Sequence, residues 1–263
     1  MSEMHVAAKQ RVAKQFSRAA MRYDQGAQVQ IDIAFDAMQL VPFGLESILD
    51  IGCGTGRVTR QLLKHVGSRH DCQVSAVDIA EGMVRFAAKS ESAISWFTAD
   101  AESLPFQNNT FEHVFSTMAL QWCTDLPEVF SEIKRVLQPQ GSAILAIMSE
   151  GSFFELNQSW QAIDSLRRVN TFIQENDFAK HASAADLRVE TFSKSYTTWH
   201  SNVKNLLGSI KQIGANVVTM RQQQTALNRS TLEQLQKQYV DLFAQNGILP
   251  LTYKVTFIKC FKD

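Results

Sequence analysis

Cysteine is scarce in this chain and shows no pairing pattern. Cys53, Cys72, Cys123 and Cys260 are scattered without a CxxC, which argues against a disulfide framework and against a zinc site. Reduced thiols in a cytoplasm, and no metal, are the expectation. The six histidines are equally dispersed. No Ser/His/Asp or Cys/His arrangement suggests nucleophilic catalysis. Net charge is also missing, since 26 Lys and Arg balance 26 Asp and Glu, so no bulk field favours nucleic acid or a membrane. The longest apolar run, Ala143 to Met148, is far too short to span a bilayer, and the N-terminus has no apolar core of a signal peptide. Neither internal repeats nor a low-complexity linker divide the 263 residues, so one domain with a lid is expected.

What is present is a glycine-rich turn between apolar strands. Ile48-Leu49-Asp50-Ile51 runs into Gly52-Cys53-Gly54-Thr55-Gly56, and Val74-Ser75-Ala76-Val77 then ends in Asp78. The pattern predicts parallel strands over 47–51, 73–77, 94–98, 111–117 and 142–148, with helices over 57–66, 82–89 and 127–137 between them. Gln138-Pro139-Gln140-Gly141 reads as the turn before the fifth strand. A helical stretch from Lys9 to Leu40 precedes this core. Helices over 153–163, 174–181, 203–213 and 231–245 and strands over 195–200 and 253–261 follow it. Alternation of strands and helices implies an α/β sheet with helices on both faces. The divisions are an N-terminal helical lid (1–45), a cofactor-binding core (46–150) and the remaining strands with inserted cap helices (151–263).

The chemistry lies at the carboxyl ends of the strands. Gly52 and Gly54 let the backbone approach a ligand, and the following helix start offers free amides; a tight strand–helix connection without a ligand is the bland alternative. GxGxG spacing departs from the dinucleotide GxGxxG. Asp78 can accept both hydroxyls of a ribose, which serves NAD and S-adenosyl-L-methionine alike. Asp100, ending the third strand, can accept an adenine amine while the Ala101 amide meets a ring nitrogen, or it can simply cap a turn. Asp50 can receive the ammonium of a methionine moiety, a group that a nicotinamide cofactor lacks.

Together these residues resemble the class I S-adenosylmethionine-dependent methyltransferases over about Glu46 to Ser149, including Phe111-Glu112-His113-Val114-Phe115-Ser116 and Val136-Leu137-Gln138-Pro139-Gln140-Gly141-Ser142. That resemblance implies a Rossmann-like seven-stranded sheet with a helical cap. It also implies a cofactor site that adds Ile79, Met83, Glu102 and Thr117 to Asp50, Gly52, Gly54, Asp78, Asp100 and Ala101.

A narrower likeness runs through Val12-Ala13-Lys14-Gln15-Phe16-Ser17-Arg18-Ala19-Ala20-Met21-Arg22-Tyr23-Asp24, Ala119-Leu120-Gln121-Trp122-Cys123 and Gly151-Ser152-Phe153-Phe154-Glu155-Leu156. It continues in Leu206-Leu207-Gly208-Ser209-Ile210-Lys211-Gln212-Ile213-Gly214-Ala215 and Pro250-Leu251-Thr252-Tyr253. In these segments the chain is similar to the malonyl-[acyl-carrier protein] O-methyltransferases of biotin synthesis. Ser116-Thr117-Met118-Ala119 departs from that family's more usual Ser-Asn-Leu-Ala, with the Thr117 hydroxyl retained.

The narrower resemblance implies methylation of the free carboxylate of a malonyl thioester, with S-adenosyl-L-homocysteine as the second product. A malonyl carboxylate is ionised at neutral pH and needs no general base, leaving positioning and desolvation as the main catalytic contributions. Tyr23 is the candidate catalytic residue, as a cover for the methionine moiety and a hydrogen-bond donor to the acceptor; a core aromatic is the alternative. Gln121, Trp122 and Lys211 are the candidate substrate contacts, with Trp122 equally able to serve as lid packing. Lys9, Arg11, Lys14, Arg18 and Arg22, with Lys204, Lys211, Arg221, Arg229 and Lys237, form either solvated helix faces or a docking surface for an acidic carrier protein. A methyltransferase for another small molecule, such as a quinone precursor, is the nearest rival. A nicotinamide oxidoreductase and a non-catalytic binding module are more distant ones.

Overall fold

The computed structural model describes residues 3–66, 72–90, 93–163, 170–212 and 228–263. Three helices lead: α1 (Glu3–Ala19), α2 (Tyr23–Gly26) and α3 (Gln28–Met38). The core alternates β1 (Ser47–Ile51), α4 (Arg57–Val66), β2 (Gln73–Asp78), α5 (Glu81–Ala87), β3 (Ile94–Thr98), β4 (Phe111–Thr117), α6 (Leu126–Val136) and β5 (Leu137–Met148). Then come α7 (Phe154–Gln161), α8 (Glu175–Ala184), β6 (Arg188–His200), α9 (Val203–Gln212), α10 (Arg229–Phe243) and β7 (Leu249–Phe261). Among the described residues the seven strands form one sheet in the order β3-β2-β1-β4-β5-β7-β6, with β7 antiparallel to both of its neighbours. The order turns at β1 and β4, which lie side by side, so a crevice opens beyond their carboxyl ends.

Alternate residues of the central strands feed opposite faces. Ile48 packs with α3 and α4 through Val29, Ile33 and Leu62, whereas Leu49 packs with α6 through Val129 and Ile133. Both are fully buried, which is why β1 reads as a continuous apolar run interrupted only by Asp50. α6 starts cleanly because Asp125 accepts a hydrogen bond from the Glu128 amide and Pro127 occupies its first turn.

The largest departures from the sequence reading are four. The helical stretch from Lys9 to Leu40 is divided into three helices, the first of which starts at Glu3. Its first part buries Ala20 against Ala80 and Met83, and its last part buries Val29, Ile33 and Ala37 in a separate core, so the chain must turn between them. β5 begins five residues early, at Leu137 instead of Ser142. Residues 138–141 stand opposite the single Glu112 as an irregularity in the ladder, with Gln140 at φ 65°. β6 starts at Arg188 and β7 at Leu249. β6 is an edge strand with no fully buried residue, so thirteen paired positions along β7 define it rather than a hydrophobic pattern.

α9 and α10 lie between β6 and β7 in the chain, as expected for inserted helices. α9 packs against α2, where Gly26 approaches Gln212 so closely that a Cβ at Gly26 would lie 2.8 Å from Oε1. Ile213, Gly214, Ala215 and Arg221 lie outside the described residues. Among the described residues no helix is long and apolar enough to cross a membrane.

Candidate active site

The glycine turn is tied to β2 by its own backbone. The Gly52 and Cys53 amides both donate to Val77 O, at 2.8 and 3.0 Å. The Asp78 carboxylate accepts from the Gly54 amide at 2.9 Å and from the Ala80 amide at 2.8 Å. Burial raises the Asp78 pKa, and those two amides oppose the rise. Gly52 sits at φ +81°, and a Cβ there would come within 2.1 Å of the Ala119 Cβ, so the turn and the loop after β4 are in backbone-to-backbone contact range. At Gly54 the reverse holds. A Cβ would meet nothing within 4 Å, and the residue faces open space.

That space is a cavity of about 770 Å³, mouth included, beyond the carboxyl ends of β1, β2, β3 and β4. Its walls include Gly52, Gly54, Asp78, Ile79, Met83, Asp100, Ala101, Glu102 and Thr117. α1 and α2 form the roof with Lys9, Val12, Phe16 and Tyr23. Phe16 meets Trp122 edge-on at 5.8 Å and Tyr23 at 6.3 Å. A second lobe holds Asp24, Gln30, Asp50, Thr55 and Arg57, and it shares Tyr23, Gly52, Gly54, Thr117 and Met118 with the first. Tyr23 therefore stands at the waist between the lobes.

Asp50 points to the α4 side of β1 and accepts a 2.6 Å hydrogen bond from the Thr59 hydroxyl. Burial raises its pKa to about 7, with the Thr59 bond opposing and the Asp78 charge assisting. Burial, with Asp78 and Asp24 nearby, also pushes the Tyr23 phenol well above its ordinary range, so it keeps its proton and has an O–H to donate. Asp100 both caps a turn, accepting from the Glu102 amide at 3.0 Å, and faces the cavity.

Most of the residues expected from the sequence thus converge on the cavity, Glu102 among them, whereas Gln121 and Lys211 do not line it. Both Glu102 oxygens are engaged by protein partners: Lys9 at 2.5 Å, the Thr124 amide at 2.7 Å and the Asp125 amide at 3.1 Å. Gln121 turns back to donate to Met118 O at 2.7 Å and lines neither lobe. Lys211 is exposed on the last turn of α9 and also lines neither lobe. Lys9 was grouped with the surface cations by sequence, yet it is 8% exposed and paired with Asp100 and Glu102. Its spacing with Val12 and Phe16, i, i+3, i+7, was the signal that it belongs to the inward face of α1. Gln30 and Arg57 carried no such signal.

The donor set fits S-adenosylmethionine. A bare glycine faces the cavity, carboxylates end β2 and the segment after β3, and a third carboxylate lies in the adjoining lobe. The buried Gln30 Oε1, which has no hydrogen-bond partner, belongs to the same lobe. Among the described residues no group of His, Cys, Asp and Glu could hold a metal ion.

Comparison with known proteins narrows the family. Residues 49–145 match the family described as Methyltransferase domain. The malonyl-[acyl-carrier protein] O-methyltransferase of Serratia marcescens is 32% identical over 97% of this chain and 96% of its own. This chain belongs to the malonyl-[acyl-carrier protein] O-methyltransferase family. The biotin biosynthesis bifunctional protein BioHC of Saccharophagus degradans is 36% identical over 97% of this chain but only 47% of its own length. The chain thus spans about half the length of the bifunctional members of the malonyl-[acyl-carrier protein] O-methyltransferase family that it matches. In fold it is similar to the YcgJ protein of Bacillus subtilis, with a TM-score of 0.60, 18% identity, and coverage of 88% of this chain and 98% of that one. These likenesses favour neither the quinone-precursor reading nor the oxidoreductase reading.

Proposed function

We propose that the protein methylates the free carboxylate of a malonyl group carried on acyl-carrier protein, giving the methyl ester and S-adenosylhomocysteine. The observation that carries this reading is that family likeness extends over nearly the whole chain, roof helices and acceptor-side loop included, and not only over the cofactor core. Bound S-adenosylmethionine supplies an electrophilic methyl group on a sulfonium. Asp78 holds the ribose hydroxyls, Asp100 and the Ala101 amide the adenine edge, and Asp50 the methionine ammonium. Ile79 and Met83, which line the first lobe, would pack on the adenosine, and Thr117 lines both lobes.

The acceptor carboxylate arrives already ionised, so the protein's task is to aim it. Tyr23 donates a hydrogen bond to one of its oxygens and leaves the other free to attack. Phe16 and Trp122 close the roof and keep water out. Gln121 acts at one remove, by fixing the Met118 carbonyl and hence the loop behind Trp122.

Arg11, Lys14, Arg18 and Arg22 on the N-terminal segment and Lys204 and Lys211 of α9 are exposed, and α2 contacts α9. This surface suits an acidic carrier, with Lys211 at its border, and binding is expected to weaken with salt. A reducing cytoplasm suits the chain, whose buried Cys53, Cys72 and Cys260 are free thiols.

Transfer of labelled methyl from S-adenosylmethionine tests the reading, with malonyl-acyl-carrier protein as acceptor and acetyl-acyl-carrier protein and malonyl-coenzyme A as controls. A base-labile methyl ester on the malonyl carrier alone is expected. No transfer, despite tight binding of S-adenosylhomocysteine, would discard the malonyl assignment and keep the methyltransferase.

Asp50 makes cofactor binding pH-dependent. With its pKa at about 7, the carboxylate that receives the ammonium is mostly protonated at pH 6, so affinity for S-adenosylhomocysteine is expected to rise roughly eightfold from pH 6 to 7.5. Folding runs the other way. A folded pKa above the unfolded value stabilises the ligand-free protein below the unfolded pKa, and that contribution is lost as pH climbs through about 7. Calorimetric titration of wild type and Asp50→Asn across this interval checks the first and ligand-free thermal melts the second; an equally steep affinity profile in the variant would assign the dependence elsewhere.

A further inference from the structure

α1 is fastened over the cavity at two points. Near its C-terminal end the Ser17 hydroxyl accepts a hydrogen bond from the Gly82 amide at 3.1 Å. The contact is close enough that a Cβ at Gly82 would lie 2.7 Å from the Ser17 Cβ. Near its middle Lys9 reaches down between two carboxylates, Asp100 at 2.6 Å and Glu102 at 2.5 Å. The Lys9 and Glu102 side chains are only 9% and 4% exposed, so this is an interior charge cluster rather than a surface ion pair. Burial works against the Lys9 charge, but its hydrogen bonds to Asp100 and Glu102 prevail and hold its pKa above the usual lysine value. Glu102 in turn accepts from the Thr124 amide and hydroxyl and from the Asp125 amide. The cluster therefore ties together the roof helix, the acid assigned to adenine, and the loop that runs from Trp122 into α6.

We propose that Lys9 is the latch of the roof: its ion pairs with Asp100 and Glu102 close α1 over the adenine end, and their release is the step by which cofactor and product exchange. This rests on the reading of the cavity as the S-adenosylmethionine site. Between latch and Ser17, α1 turns Val12 and Phe16 to the cavity, so a ligand enclosed there cannot leave along that side without α1 moving. Removing the ammonium leaves the buried Glu102 carboxylate without its cation and Asp100, 27% exposed, without its tie to α1, which favours the open roof. Lys9 acts through the carboxylates and the helix, and it is a positioning residue.

Stopped-flow fluorescence of S-adenosylhomocysteine release from the full-length protein tests this, together with steady-state methyl transfer and amide hydrogen exchange of α1. In Lys9→Met the release rate is expected to rise about 10–100-fold and KM for S-adenosylmethionine to rise with it. The effect on kcat is expected to be much smaller, because no group at the reacting atoms has changed. Exchange along α1 is expected to quicken while β1 and β4 stay protected. Lys9→Arg restores most of the slow release by keeping the charge, and Lys9→Gln gives the same comparison should Lys9→Met not fold. Unchanged release in a folded Lys9→Met or Lys9→Gln, or a loss confined to kcat, overturns the latch. Failure of wild type to bind S-adenosylhomocysteine at all overturns the cofactor reading instead.

Discussion

Replacing Gly52 with alanine is expected to abolish cofactor binding, by at least about 100-fold in the affinity for S-adenosylhomocysteine, and to destabilise the fold. Two costs coincide at this position. The backbone is left-handed at φ +81°, which an L-residue adopts at a cost of about 1–2 kcal/mol. The new methyl would also lie 2.1 Å from the Ala119 Cβ, which moves only with its own backbone. The loop after β4 must then shift, taking with it Met118, itself at φ 55°, and the Thr117–Ala119 wall of the cavity. Overpacking of this kind costs a further ~1–3 kcal/mol. Binding of S-adenosylhomocysteine by calorimetry and a thermal melt check the result. The pair Gly52→Ala with Ala119→Gly removes the overlap but not the left-handed strain, so it is expected to recover stability in part. Full binding by the single variant would show that the turn is not the cofactor's floor.

The second large effect is expected at Tyr23. Tyr23→Phe keeps the ring that meets Phe16 at 6.3 Å and removes only the phenolic donor. Loss of a hydrogen bond to a charged acceptor costs about 1.5–3 kcal/mol, which is roughly 10–150-fold in kcat. Because the phenol stays protonated through the neutral range, the loss is expected to be the same at pH 6.5 and pH 8.5. The Kd for S-adenosylhomocysteine, which has no acceptor carboxylate to meet, is expected to change little. Single-turnover methyl transfer beside equilibrium binding separates the two. A large fall in cofactor affinity with an unchanged chemical step would make Tyr23 a cover for the methionine moiety and nothing more.

Local chemistry makes much of this protein legible in its sequence. A strand followed by GxGxG, with acids at the ends of successive strands, marks the cleft through short local patterns, each only a few residues long. Asp50, Asp78 and Asp100 were therefore identifiable together with Gly52 and Gly54, and they converge because β1, β2 and β3 are neighbours in register. The helices were legible where one apolar face met one core, as in α6 and α10. They were less so between Lys9 and Leu40, where the apolar face changes partner partway. β6 was half missed because an edge strand is defined by its ladder to β7, a relation that leaves little trace in its own hydrophobicity.

Lys9 marks the boundary between what sequence alone determines and what folding decides. As a residue it is one of five cations near the N-terminus, indistinguishable in charge from Arg11 or Lys14. Its partners lie 91 and 93 residues away, and only the lay of α1 across the sheet edge brings them within hydrogen-bond reach. The same holds for Gln30 and Arg57 in the second lobe and, in the opposite sense, for Gln121 and Lys211, which stay off the cavity walls. The fold class, the cofactor class and the acids that line the two lobes were legible along the chain, because each is carried by a short local pattern at the end of a strand. The tertiary structure decided which helix forms the roof, which cation holds it down and where Tyr23 stands, because these depend on contacts between segments far apart in sequence.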